Sequence, residues 1–267
     1  MSKALEPHFN ILVGTNNADE ITGGTGRDLI LGRGGDDVID GGDGRDQLLG
    51  DAGNDRIFGG AGADDLIGFD GADQLSGGRG SDRLFGGAGS DMLFGNEGSD
   101  VLSGGAGQDT LTGGKGKDSF VFDVDPFFEG APAPVVPTGL SGLNLPDVIT
   151  DFKIGCDSFL FDADVFGVEE LRFASGVTAE LAGDANVIVQ RDPFANAASA
   201  ALALADNDAV TADAGFFIYF NTTLGIHRLV YSEDLSDGGD FSVLANLTNQ
   251  TDVAALAAYT AGDFLLA

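Results

Sequence analysis

Residues 14–121 read in nines without an insertion: GTNNADEIT, GGTGRDLIL, GRGGDDVID, GGDGRDQLL, GDAGNDRIF, GGAGADDLI, GFDGADQLS, GGRGSDRLF, GGAGSDMLF, GNEGSDVLS, GGAGQDTLT and GGKGKDSFV. The first position is Gly in all twelve and the fourth in eleven, with Asn17 the exception. The sixth is Asp in all twelve, and the eighth is always Ile, Leu or Phe. Of the 43 Gly in the chain, 31 lie in this stretch. A flexible Gly-rich linker has no reason to hold an Asp and an apolar residue in fixed phase. The stretch is an internal repeat.

Each position predicts a local structure. The glycines at the first, second and fourth positions allow positive φ and tight turning. Asn17 is the side chain that best tolerates the left-handed region. Positions 7 to 9 predict a very short strand with position 8 on one face and 7 and 9 on the other. Position 7 is mixed (Glu20, Leu29, Val38, Gln47, Arg56, Asp65) whereas position 8 is uniformly apolar, so position 8 points inward. So short a strand cannot stand alone. Stacked parallel copies pair their backbones and bury a ladder of Ile21, Ile30, Ile39, Leu48, Ile57, Leu66, Leu75, Leu84, Leu93, Leu102, Leu111 and Phe120.

GGAGSDMLF and its neighbours resemble the RTX nonapeptide G-G-x-G-x-D-x-U-x, with U large and apolar. The resemblance implies a right-handed parallel β-roll with two nonapeptides per turn and calcium ions between loops of successive turns on the same side. The aspartates then form two files. One holds Asp19, Asp37, Asp55, Asp73, Asp91 and Asp109; the other holds Asp28, Asp46, Asp64, Asp82, Asp100 and Asp118. Turns about 4.8 Å apart force these like charges together. A hard divalent cation with six to eight oxygen ligands removes the penalty. Backbone carbonyls of the glycine loops, such as those of Gly23, Gly32, Gly41, Gly59, Gly77, Gly86 and Gly104, complete the expected donor set. Neither file holds the His or Cys that zinc or copper favours. Magnesium holds its water and demands an octahedron. Calcium is the expected ion, with up to ten sites in the gaps of the two files.

The charge balance adds a switch. The chain carries 43 Asp plus Glu against 13 Lys plus Arg, a net charge of −30. Without metal this repulsion opposes compaction, so the roll is expected to fold on calcium binding, where calcium is abundant. So acidic a chain offers little to phosphates, which argues against nucleic acid and anionic membranes. No apolar run approaches the ~18 residues of a membrane span, the longest being AASAALALA at 197–205. MSKALEPHFN lacks the apolar core of an N-terminal secretory signal. The single Cys156 rules out an internal disulfide framework.

The expected domains are a lead-in or cap over 1–13, the roll over 14–121, and a β-rich module with a few short helices over 122–267, so the fold class is mainly β. Five prolines between 126 and 146 predict an extended connection. In DVITDFKIGCDSFLFD (147–162), Asp147, Ile149, Asp151, Phe152, Gly155 and Asp157 resemble the segment that follows the repeats in serralysin-type C-terminal domains. Further strands are expected at 186–190 and in a hairpin at 216–232. Helices are expected near 195–205 and 252–259, the last capped by Thr251. The closing GDFLLA (262–267) resembles the uncleaved C-terminal signal of type I secretion substrates. That resemblance implies type I secretion machinery as a partner and an extracellular location.

Catalytic patterns are wanting. His8 and His227 are the two histidines, and neither sits in the H-E-x-x-H motif of the serralysin protease domain. There is no G-x-S-x-G elbow and no phosphate-binding loop. His227 reads as structural, and the acid pairs Glu169–Glu170 and Glu233–Asp234 as solvated surface. The leading expectation is a non-enzymatic, secreted, calcium-binding protein with a structural or adhesive role, partnered by a cell-surface or matrix component or by itself. The alternative is a secreted enzyme or polysaccharide-modifying protein with its active site in 122–267. Position 9 separates the two faces of the roll: Leu31, Leu49, Ile67, Phe85, Ser103 and Val121 form a mostly apolar line, and Thr22, Asp40, Phe58, Ser76, Phe94 and Thr112 a mixed one. The first face is expected to be covered and the second wet, the cover being 122–146, Phe9 to Val13 or a second copy.

Overall fold

The computed structural model describes residues 9–123, 146–207, 210–212, 214–232, 235–236 and 241–267. The chain divides into two compact units, Met1–Val121 and Phe122–Ala267.

The first unit is a parallel β-roll of thirteen short strands: β1 (Phe9–Val13), β2 (Glu20–Thr25), β3 (Arg27–Gly34), β4 (Val38–Asp43), β5 (Gln47–Ala52), β6 (Arg56–Ala61), β7 (Asp65–Asp70), β8 (Gln74–Arg79), β9 (Arg83–Ala88), β10 (Met92–Glu97), β11 (Val101–Ala106), β12 (Thr110–Lys115) and β13 (Ser119–Phe122). Odd strands stack in one sheet and even strands in another. Neighbours are parallel and 18 residues apart, as in Leu48↔Leu66 and Ile57↔Leu75. Two nonapeptides therefore make one turn. From Ile30 to Phe120 every position-8 side chain is fully buried, while Ile21, at the open end, is half-buried. A ladder of identical positions buries its apolar surface only because each turn caps the next.

The strands are longer than the three residues expected. β2 and β4 to β12 each run six residues, from position 7 through the third position of the next nonapeptide, with burial alternating along them (iBiBie in β5), and β3 runs eight. The first-position glycine therefore faces the core beside position 8, and its φ is not positive. Positive φ falls at the second and fourth positions, as at Gly60 (φ 101°) and Gly80 (φ 131°). Arg33, Asp51, Phe69 and Asn96 hold the second position with φ between 74° and 84°.

Two expectations change at the surface. The lead-in does not cover the roll: Phe9 to Val13 form β1, which pairs in register with β3 from Phe9↔Arg27 to Val13↔Leu31. The position-9 faces are less unlike than expected. Leu31, Leu49, Ile67, Phe85 and Val121 are half-buried and Ser103 buried, while Thr22, Asp40 and Phe58 are exposed and Ser76, Phe94 and Thr112 half-buried. Side-by-side packing along the first row hides part of each of its side chains. The proposed cover at 122–146 lies almost wholly outside the described residues, as do His8 and the Glu233–Asp234 pair.

The second unit holds β14 (Asp147–Ile149), β15 (Ser158–Phe161), α1 (Ala163–Phe166), β16 (Phe173–Gly176), β17 (Val187–Phe194), α2 (Ala197–Ala205), β18 (Gly215–Asn221), β19 (Ile226–Ser232), β20 (Phe241–Leu247) and β21 (Phe264–Leu266). Its main sheet runs β16-β17-β18-β19-β20-β14. The hairpin at β18 and β19 is antiparallel as expected. Asn196 caps α2 by accepting from Ser199 N–H. Leu204, Ala200 and Ala201 of α2 join Ile188, Phe217 and Val230 in one core. A second core stacks Phe152 on Phe159 at 4.2 Å and Phe161 on Phe216 at 3.7 Å between ring centroids. The segment 252–259 is a 3₁₀ helix over Val253–Ala258, capped by the Asp252 side chain on Ala254 N–H, not by Thr251. No helix among the described residues is long and apolar enough to cross a membrane.

Candidate metal centre

Each repeat aspartate except Asp28, the second residue of β3, sits immediately before a strand, two residues after the fourth position. The backbone N–H of one aspartate donates to Oδ1 of the next in its file, from Asp19 to Asp37 (2.8 Å) and on through Asp100 to Asp118 (3.1 Å). The carboxylates are therefore stacked by the backbone, one per turn.

The second oxygen is different. Oδ2 of Asp28, Asp37, Asp46, Asp55, Asp64, Asp73, Asp82, Asp91, Asp100, Asp109 and Asp118 is buried with no hydrogen-bond partner. These eleven residues are at most 1% exposed. Burying a carboxylate oxygen without a donor costs several kcal/mol unless a cation or proton compensates it.

The glycine of the first position makes room beside that oxygen. A Cβ on Gly41 would lie 2.7 Å from Asp46 Oδ2 and 2.8 Å from the Gly59 carbonyl of the next turn. On Gly59 it would lie 2.6 Å from the Gly77 carbonyl and 2.8 Å from Asp64 Oδ2. Carboxylate and carbonyl oxygens thus converge on a bare Cα. Among the described residues no three His, Cys, Asp or Glu side chains gather as a metal site. The donors are single carboxylate oxygens with backbone carbonyls, a set that fits calcium and not a thiolate- or imidazole-seeking metal.

The electrostatics agree with this fit. Burial, and then the neighbouring aspartates of the file, push Asp82 and Asp91 up to about 7. Burial and the same neighbours raise Asp55 and Asp64 to about 6. Burial also raises Asp37, Asp46, Asp73 and Asp100 above the ordinary carboxylate value. Dry and side by side, these groups hold protons more tightly than in water.

Of the twelve sequence-predicted aspartates, Asp19 differs. It is half-buried, and its Oδ2 accepts from Thr15 N–H at 2.6 Å and Thr15 Oγ1–H at 2.9 Å. Asn10 was missed by the repeat reading. It lies 18 residues before Asp28, and its Nδ2 donates to Asp28 Oδ1 at 2.6 Å. Extending the nines one step back, over 5–13, puts Asn10 at the sixth position and Leu12 at the eighth, a signal hidden by the absence of glycine there.

In the second unit Asp157 and Asp263 accept from backbone N–H groups. Asp157 Oδ2 accepts from Lys153 N–H at 2.8 Å. Asp263, fully buried, accepts from Gly155 N–H (2.5 Å), Thr260 N–H (2.6 Å) and Thr260 Oγ1–H (2.9 Å). The strand that follows, β21, pairs in parallel with β15. His227 is fully buried, its Nε2 3.0 Å from the Asp252 carbonyl and its Nδ1 3.3 Å from Tyr259 Oη. Glu169 and Glu170 are exposed, Glu170 beside Arg172 at 3.6 Å.

The family model of the RTX calcium-binding nonapeptide repeat matches residues 13–48, 42–68, 49–84, 67–102 and 85–120. Residues 13–120 are thus an array of RTX-type calcium-binding repeats. No curated protein matches the chain.

Proposed function

We propose that this is a secreted, non-enzymatic protein whose repeats fold on calcium outside the cell and whose role is structural or adhesive. The observation that carries the calcium-driven folding is the row of eleven buried, partnerless Oδ2 atoms, each facing a glycine cradle. When bound, calcium supplies the positive charge that lets these carboxylates stay ionised side by side. The aspartate Oδ2 atoms and the first-position carbonyls of the next turn would hold the ion. Where calcium is scarce the same side chains repel one another, and the chain gains little by stacking.

Export through type I machinery is supported by the acidic, nearly Cys-free composition. The non-enzymatic reading is supported in the second unit by the use made of its polar groups. His227, Asp157 and Asp263 each hydrogen-bond to backbone, His227 also to Tyr259 Oη and Asp263 also to the Thr260 hydroxyl.

Titrating the metal-free chain with calcium, followed by circular dichroism and light scattering, tests the reading. Cooperative gain of β structure at millimolar or lower calcium is expected, with magnesium ineffective. An identical fold in excess chelator overturns it.

A further inference from the structure

The N-terminal end of the roll departs from the rest of the ladder on both files. On the odd file, Asp19 is the one repeat aspartate among the twelve whose Oδ2 is not in the buried, partnerless set. Both polar hydrogens of Thr15 point at it, at 2.6 and 2.9 Å. Thr15 stands at the second position, where later repeats have Gly or one of four side chains at positive φ. Thr15 itself is not at positive φ, so its N–H and hydroxyl turn inward instead of away.

On the even file, Asn10 takes the place of an aspartate. Its backbone N–H donates to Asp28 Oδ1 at 3.3 Å, like every aspartate further along, but its side-chain amide adds a second donor at 2.6 Å. The four residues before Phe9, Leu5 to His8, contain no glycine, whereas every later loop begins with one.

We infer that the roll closes the N-terminal ends of its two carboxylate files with its own hydrogen-bond donors, so that neither the gap from Asp19 to Asp37 nor that from Asn10 to Asp28 takes up calcium. This rests on the calcium reading above. A donor aimed at a carboxylate oxygen puts a partial positive charge where the ion would have to sit, and the ion would have to break those bonds to enter. Asp19 is also half-hydrated, so an ion relieves less there than at a buried neighbour. Calcium uptake is thereby confined to the nine gaps between aspartates of the buried set, one fewer than the twelve-aspartate pattern suggests. The N-terminal end of the described stack is thus finished by neutral groups. Terminal repeats of solenoids need such caps.

Counting bound calcium per chain by native mass spectrometry of the full, calcium-saturated protein decides it. The Asp19→Ala chain is expected to bind as many ions as the parent, the Asp73→Ala chain at least one fewer, and the Thr15→Gly chain one more. Loss of an ion from Asp19→Ala, or no gain in Thr15→Gly, overturns the inference while calcium binding itself stands. Retention of every ion in Asp73→Ala instead overturns the stacked-calcium reading. For the even file, Asn10→Ala is read by hydrogen exchange in saturating calcium. The amides of Ile11 to Val13 are expected to exchange at least tenfold faster, and unchanged protection there overturns the cap.

Discussion

The backbone N–H of Asp73 donates to Oδ1 of Asp91, one turn on, at 2.8 Å, and leaves Asp91 Oδ2 buried without a partner. One oxygen of each carboxylate is thus committed to the fold and the other is held in reserve. The backbone positions like charges that would otherwise part, and the unsatisfied oxygens make the metal-free stack costly.

Removing an interior carboxylate therefore costs more than removing the terminal one. Asp73→Ala strips the Oδ1 acceptor from Asp55 N–H, 2.7 Å away, and one of the bare oxygens from the file. Its calcium midpoint for folding is expected to rise about threefold or more, against little change for Asp19→Ala. Circular dichroism against free calcium measures both. Equal midpoints would sink the stacked arrangement.

Protons and calcium compete for the same oxygens. Asp82 and Asp91 rise from the ordinary 3.8 to about 7 in the metal-free fold. Between those values the folded roll binds more protons than the unfolded chain. Its metal-free stability is therefore full below about pH 4 and is lost as pH rises through 7. With calcium the sign reverses, because the ion requires the ionised form. Lowering pH from 7.5 to 5.5 is expected to raise the calcium midpoint roughly tenfold, while acid promotes compaction in chelator. A calcium midpoint independent of pH over this range contradicts the assignment of the raised groups to the ion sites.

Two glycine substitutions separate space from backbone strain. A Cβ at Gly41 meets Asp46 Oδ2 and the Gly59 carbonyl, so Gly41→Ala is expected to close one cradle and lower the calcium count. A Cβ at Gly24 meets nothing within 4 Å, but its φ is 107°. Gly24→Ala is expected to cost about 1–2 kcal/mol in backbone strain and leave the calcium count unchanged. Calorimetry with ion counting distinguishes them.

Asp263 ties the last strand to a turn 108 residues earlier through Gly155 N–H. Asp263→Ala leaves the donors of Gly155 and Thr260 without that acceptor, in part-buried hydrogen bonds, and is expected to destabilise the second unit by about 1–3 kcal/mol. All three tyrosines (Tyr219, Tyr231, Tyr259) lie in that unit and the chain has no Trp. Near-ultraviolet tyrosine dichroism therefore reports the loss there selectively. An unchanged thermal midpoint of that signal would show that the anchor does not hold.

The repeat was legible because its information is local and periodic. A nine-residue phase with one apolar and one acidic position permits few arrangements, and stacking two nines per turn buries Ile30 to Phe120 and aligns Asp28 to Asp118 without help from any distant segment. The antiparallel hairpin at 216–232 was legible for the same reason. Tertiary structure decided the rest. That the first-position glycine faces inward emerged only when a neighbouring turn supplied the carbonyl and carboxylate that a Cβ would strike. Asn10 and Thr15 became caps only beside Asp28 and Asp19, since neither matches the repeat by type. Asp263 read only as the acid of the GDFLLA segment until the chain brought Gly155 to it. A periodic pattern specifies what each turn offers its neighbour; where the period stops, the partner of a polar group is set by three-dimensional proximity, and no spacing in the chain encodes it.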